Sequence, residues 1–107
     1  MTDDGLRARY EEAVRGLSVS VAAMRDEGLS AEVIARTVHA ERRRLAALFK
    51  KRTPEPVRSR LHDRTLAVYG DVQGPTIERL RAQGKSWDDI SEGASRPGPR
   101  VAFEGTE

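Results

Sequence analysis

The 107-residue chain has no cysteine. It therefore has no disulfide framework, no thiolate metal site and no thiol nucleophile. Histidine is nearly as scarce: His39 and His62 are the only two, so a His-rich metal centre is not expected, and no other feature calls for a cofactor. No apolar run approaches the roughly 20 residues needed to span a bilayer. The opening "MTDDGLRARYEEA" is charged and lacks the apolar stretch of a secretory signal. The expectation is a cytoplasmic protein without a membrane partner, exported only by a non-classical route or with a partner. Period-two alternation is also missing, which excludes half-buried strands.

What the sequence does contain is helical periodicity. Leu6, Tyr10, Ala13, Val14, Leu17, Val21 and Met24 recur at steps of three and four, which puts them on one stripe of a helix ending at about Glu27. A second helix, from about Ala31 to Lys51, carries Ile34, Val38, Leu45, Leu48 and Phe49. "KKRTPEP" breaks it, and the reading gives Thr53 as N-cap and Pro54 as first residue of a third helix. That helix runs to Tyr69 with Val57, Leu61 and Val68 facing inward. Thr76 and Ser86 cap two short helices, anchored by Ile77, Leu80, Trp87 and Ile90. The expected fold is all-α: a compact bundle of four to five helices joined by short Gly/Ser and Pro turns. Residues 1–95 form one domain, and residues 96–107 form a flexible tail in which Val101 and Phe103 can dock as an extended segment.

Two stretches share a pattern: "MRDEGLSAEVI" at 24–34 and "LRAQGKSWDDI" at 80–90. Glycine stops one helix, serine starts the next, and the outer apolar positions bury the corner. This joint chemistry explains every shared position except the Arg. A DNA-reading helix-turn-helix is poorly served, because Ala31, Glu32 and Ala35 offer little to base edges and Asp88 and Asp89 repel phosphates.

Net charge is only +2, yet residues 36–64 hold ten Lys/Arg against three acids. On a helical wheel Arg36, His39, Arg43 and Lys50 fall opposite Ile34, Val38 and Leu45. With Arg58 and His62 on the next helix they can form a basic groove that contacts phosphates, or an ordinary solvated face. Two further charges interrupt apolar stripes: Glu41 on the second helix and Arg64 on the third. A charge entering a core needs a partner, so the expectation is a Glu41–Arg64 ion pair across the two helices. The alternative makes Glu41 a general base beside His39. The loop "YGDVQGPT" has turn formers but lacks the lysine of a phosphate-binding loop, and its Asp71 reads as a turn residue.

"MRDEGLSAEVIARTVHAERRRLAALFK", "TPEPVRSRLHDRTLAVYG" and "YGDVQGPTIERLRAQGKSWDDISEGASRPG" together resemble a small C-terminal module of bacterial polymorphic toxins of the Rhs and filamentous-haemagglutinin types. The resemblance covers about residues 24–98. It implies deployment against competing bacteria and a cognate immunity protein as partner, and it assigns no catalytic residue. Two functions are thus expected as alternatives. One is a toxin-like effector domain acting on nucleic acid such as RNA, with His39 and His62 as acid–base residues and Arg36, Arg43, Lys50 and Arg58 on phosphates. The other is a non-enzymatic helical adaptor or nucleic-acid-binding protein, working as a homodimer through the first helix or in a protein complex.

Overall fold

A computed structural model describes residues 3–98, with side chains from Gly5 onward. Five helices follow one another: α1 (Asp3–Asp26), α2 (Ala31–Arg52), α3 (Val57–Tyr69), α4 (Ile77–Ala82) and α5 (Trp87–Ala94). The described residues contain no strand, and short loops connect the helices. The all-α bundle expected from periodicity is the observed architecture. None of the helices is long and apolar enough to cross a membrane. The first three residues of the expected tail, Arg96 to Gly98, are irregular and described; its remainder, with Val101 and Phe103, lies outside the described residues.

The core forms where α1, α2 and α5 meet. Leu17, Val21, Ile34, Val38 and Ala94 cluster there, with Met24 and Leu45 packed against them. Ile90 adds a second buried residue from α5, one turn before Ala94 on the same face. The apolar stripe of α1 thus meets the start of the α2 stripe, and the short α5 closes the third side.

Both "Gly-x-Ser" joints are built alike. Gly28 and Gly84 adopt φ +80° and +85°, the left-handed conformation that a side chain resists. Leu29 N–H donates to Met24 at 3.1 Å, and Lys85 N–H donates to Leu80 at 3.1 Å, closing the same C-terminal motif twice. Ser30 and Ser86 then accept from Val33 N–H and Asp89 N–H. At the second joint Asp89 returns the bond to Ser86 N–H, completing a capping box. The shared Arg also has work: Arg25 pairs with Asp88 at 3.6 Å, and Arg81 lies 4.2 Å over the Trp87 ring. Arg25 thus links the first joint to the second, and Arg81 packs within the second.

The third helix departs from expectation at its start and along its face. Thr53 does not cap α3; it ends α2, its hydroxyl donating to Phe49 O at 2.8 Å. A turn follows, and α3 begins only at Val57. Glu55 serves the new helix start, accepting from Ser59 N–H at 3.1 Å. Glu55 is there held below the usual carboxylate range, chiefly by the Ser59 hydroxyl and amide. No residue of α3 is buried. Val57 and Leu61 are half-buried and Val68 is exposed, so the stripe expected to face a core faces a groove instead.

Candidate functional site

Much of the basic face of α2 is engaged by the protein's own backbone. His39, Arg43 and Lys50 recur at nearly whole turns, and all three point at the loop between α3 and α4. His39 Nε2 lies 2.8 Å from Pro75 O. Arg43 donates to Gly74 O at 3.1 Å and to Asp71 Oδ1 at 3.0 Å. Lys50 Nζ donates to Val72 O at 2.8 Å. The loop therefore runs antiparallel to α2, its carbonyls gripped one after another. Asp71 also accepts from Gln73 N–H at 2.9 Å, the Asx turn that its position suggested.

The titration behaviour follows from this packing. Burial pushes the His39 imidazole below its ordinary value, helped by Arg43 and Arg42 and opposed by the Pro75 hydrogen bond and Glu78. Burial likewise lowers Lys50, with Asp71 opposing. Asp71 is held low first by the Gln73 amide and then by Arg43 and Lys50. Folding thus favours neutral His39. That contribution is complete above the ordinary value of 6.5 and is lost as pH falls below it, since the unfolded chain then takes up the proton first. Wild type should therefore lose melting temperature relative to His39→Gln as pH drops from about 7 to about 5. Glutamine keeps a donor for Pro75 O without the titration. Parallel pH curves for the two proteins in thermal denaturation would refute this.

The other expected site residues separate. Arg36 pairs with Glu32 at 2.9 Å and lies 5.0 Å over Trp87, away from the loop. Arg58 pairs with Glu55 at 3.1 Å. His62 is exposed on α3 and lines an open groove with Arg58 and Lys50, whereas His39 lines a different cavity. The two histidines are not brought to one reacting centre. The expected Glu41–Arg64 pair is not formed: Glu41 bonds Arg44 on its own helix. The reason is that α3 stands off from this part of α2, so Glu41 is only half-buried and takes the partner one turn away. Nor is Glu41 placed beside His39 as a base. Among the described residues no cluster of His, Asp or Glu is arranged to hold a metal.

Between α1, α2, α3 and α5 lies a cavity of about 640 Å³, within the usual range for ligand sites. Tyr10 and Phe49 line it together, with ring centroids 5.6 Å apart. Leu61 and Val68 of α3 also line it, and Val72, Leu80 and Ile90 extend the apolar lining. Arg79 holds the end of α3 in place, donating to Tyr69 O at 3.0 Å and Val68 O at 3.2 Å. Its guanidinium would lie 3.3 Å from a Cβ at Gly70, whose φ is +72°.

Arg42 is the functional residue that periodicity missed. Its guanidinium donates to Tyr10 Oη at 3.0 Å and to the carbonyls of Gly93, Ala94 and Arg96 at 3.3, 3.0 and 2.9 Å. It ties α1, α2 and the end of α5 together at the rim of the cavity. Compared with protein-family models, curated proteins and solved structures, the chain matches none.

Proposed function

We propose that this chain is a non-enzymatic helical adaptor that works in a protein complex, and that the cavity bounded by α1, α2, α3 and α5 is its binding groove. One observation carries the reading: Leu61 and Val68 of α3 and Phe49 of α2 line a common cavity of about 640 Å³ between the described helices. Apolar walls held apart in this way are stabilised by whatever fills them. The separation of His39 from His62, and the use of His39, Arg43 and Lys50 to hold a loop, fit binding better than acid–base chemistry. A cognate immunity protein of the kind that the toxin-module resemblance implies is one partner this reading accommodates.

The absence of cysteine makes the test direct. A photo-crosslinker attached at Val68→Cys should capture a partner in the source cell, and the same group at Ala22→Cys, on the exposed outer side of α1, should not. Equal capture at both positions, or none at Val68, overturns the reading.

The second reading is an effector domain acting on RNA. It rests on the open groove where Arg44, Lys50, Lys51, Arg58 and His62 come together. It requires RNA binding that weakens steeply with salt and growth inhibition that is lost in His62→Ala.

A further inference from the structure

The groove's lining also specifies the chemistry of its occupant, if the adaptor reading holds. α3 lines the groove from Leu61 to Tyr69, a stretch of about 12 Å at 1.5 Å per residue. Leu61, Thr65 and Val68 follow one another along its groove side at steps of four and three. An apolar wall of that length and pitch matches the ridge of another α-helix, whose own side chains repeat at the same steps. The surfaces available are aliphatic more than aromatic. Tyr10 and Phe49 pack on each other, and the Tyr10 hydroxyl is taken by Arg42. Tyr69 is the one further Phe, Tyr or Trp ring in the described lining, whereas a nucleic-acid strand would need a row of free ring faces for successive bases.

Charge sets the second requirement. The cavity's lining includes several cations and one carboxylate, Asp89. That carboxylate is committed to the Ser86 capping box. Most of the cations are likewise committed: Arg42, Arg43 and Lys50 hold backbone carbonyls, and Arg96 pairs with Glu92. Arg64 on α3 and Lys85 on the α4–α5 turn are lining residues whose side chains make no hydrogen bond or ion pair among the described residues, although the Lys85 ammonium lies within electrostatic reach of Asp89. Among the described residues the groove therefore meets its occupant with a cation free of ion pairs on each of two elements, Arg64 and Lys85, and with Asp89 as its one lining carboxylate.

We infer that the occupant is an amphipathic helix of a partner protein, its apolar ridge flanked by Asp or Glu side chains that pair with Arg64 and Lys85. The inference rests on the groove being the binding surface.

The probe is a fluorescein-labelled helical peptide of about 16 residues, roughly 24 Å long. It carries leucines at helical spacing and flanking glutamates. A second peptide replaces every glutamate with lysine. Fluorescence anisotropy with the whole chain should give micromolar binding of the acidic peptide, at least about tenfold tighter than the basic one, a ratio worth about 1.4 kcal/mol. The double variant Arg64→Glu/Lys85→Glu should reverse that preference. Leu61→Asp should abolish binding of both peptides, and circular dichroism melts of each variant establish that it folds. Because Arg64 is exposed, the charge-reversal variant remains decisive if Leu61→Asp does not fold. Equal binding of the two peptides, no binding of the acidic one, or binding unaffected by charge reversal overturns the inference. Tighter binding of an oligouridylate probe at the same residues does so too. A dimer seen by light scattering and broken by Leu61→Asp makes a second copy the occupant, and also overturns it. If Val68 crosslinks a partner in the cell but the acidic peptide does not bind, the groove stands and the acidic helix falls. If both experiments fail, the groove falls with it.

Discussion

Replacing Arg42 with methionine is expected to lower the unfolding free energy by about 2–4 kcal/mol, because it removes charge-assisted hydrogen bonds and leaves their acceptors behind. The last carbonyls of a helix have no donor within the helix, and they carry its negative end. In α5 those carbonyls turn to Arg42, which bonds Gly93, Ala94 and Arg96 and also reaches Tyr10. Methionine keeps much of the stem's packing, so the loss reports the guanidinium and little else. For a domain of this size, with total stability of about 5–15 kcal/mol, the melting temperature should fall by roughly 10–25 °C. Lysine should restore less than half of the loss, since its compact ammonium cannot span Tyr10 and the α5 terminus at once. Thermal and urea denaturation followed by circular dichroism measure both. A methionine variant within about 1 kcal/mol of wild type would show that water satisfies the α5 carbonyls equally well.

The larger effect belongs to Val38→Asp, which should leave the chain unfolded at neutral pH. Val38 is 1% exposed and sits among Leu17, Val21, Ile34 and Ala94. The core cluster holds no cation to meet a new carboxylate, so the cost of desolvating it exceeds about 4 kcal/mol. Val38→Ala loses only packing, about 1–3 kcal/mol, and should remain folded. Val19→Asp is the control: Val19 is 71% exposed on the outer side of α1, and the change should stay within about 0.5 kcal/mol. A cooperative melt of Val38→Asp close to that of wild type would contradict the packing of α2 between α1 and α5.

The elements whose signals are local were legible in the sequence. Helix periods, Ser30, Thr76 and Ser86 as caps, and Gly28 and Gly84 as stops depend on a few neighbouring residues, and the fold bears them out. The face of α3 was not legible, because Val57, Leu61 and Val68 look the same whether the space opposite them is filled or left open. The basic stripe of α2 was visible, but its partners were backbone carbonyls, and a carbonyl has no letter in the sequence. Asp71 was the one visible clue to that contact, and its turn-forming role alone accounted for it. Arg42 went unseen for the same reason: it sits within a run of three arginines, and its carbonyl acceptors lie 51 to 54 residues away. The expected Glu41–Arg64 pair assumed that α2 and α3 pack along their whole length, whereas they touch only sparsely and α3 buries no residue.

The grip of α2 on the loop before α4 has a consequence for how this protein can vary. Every amino acid supplies a carbonyl oxygen, so the bonds from His39, Arg43 and Lys50 to positions 72–75 place no demand on the side chains of Val72 or Gln73. Those side chains line the groove and are free to drift. The three donors are not, because they fix where α3 stands and so how wide the groove is. Width and lettering are thereby uncoupled: the frame can stay constant while the surface read by a partner is rewritten one residue at a time.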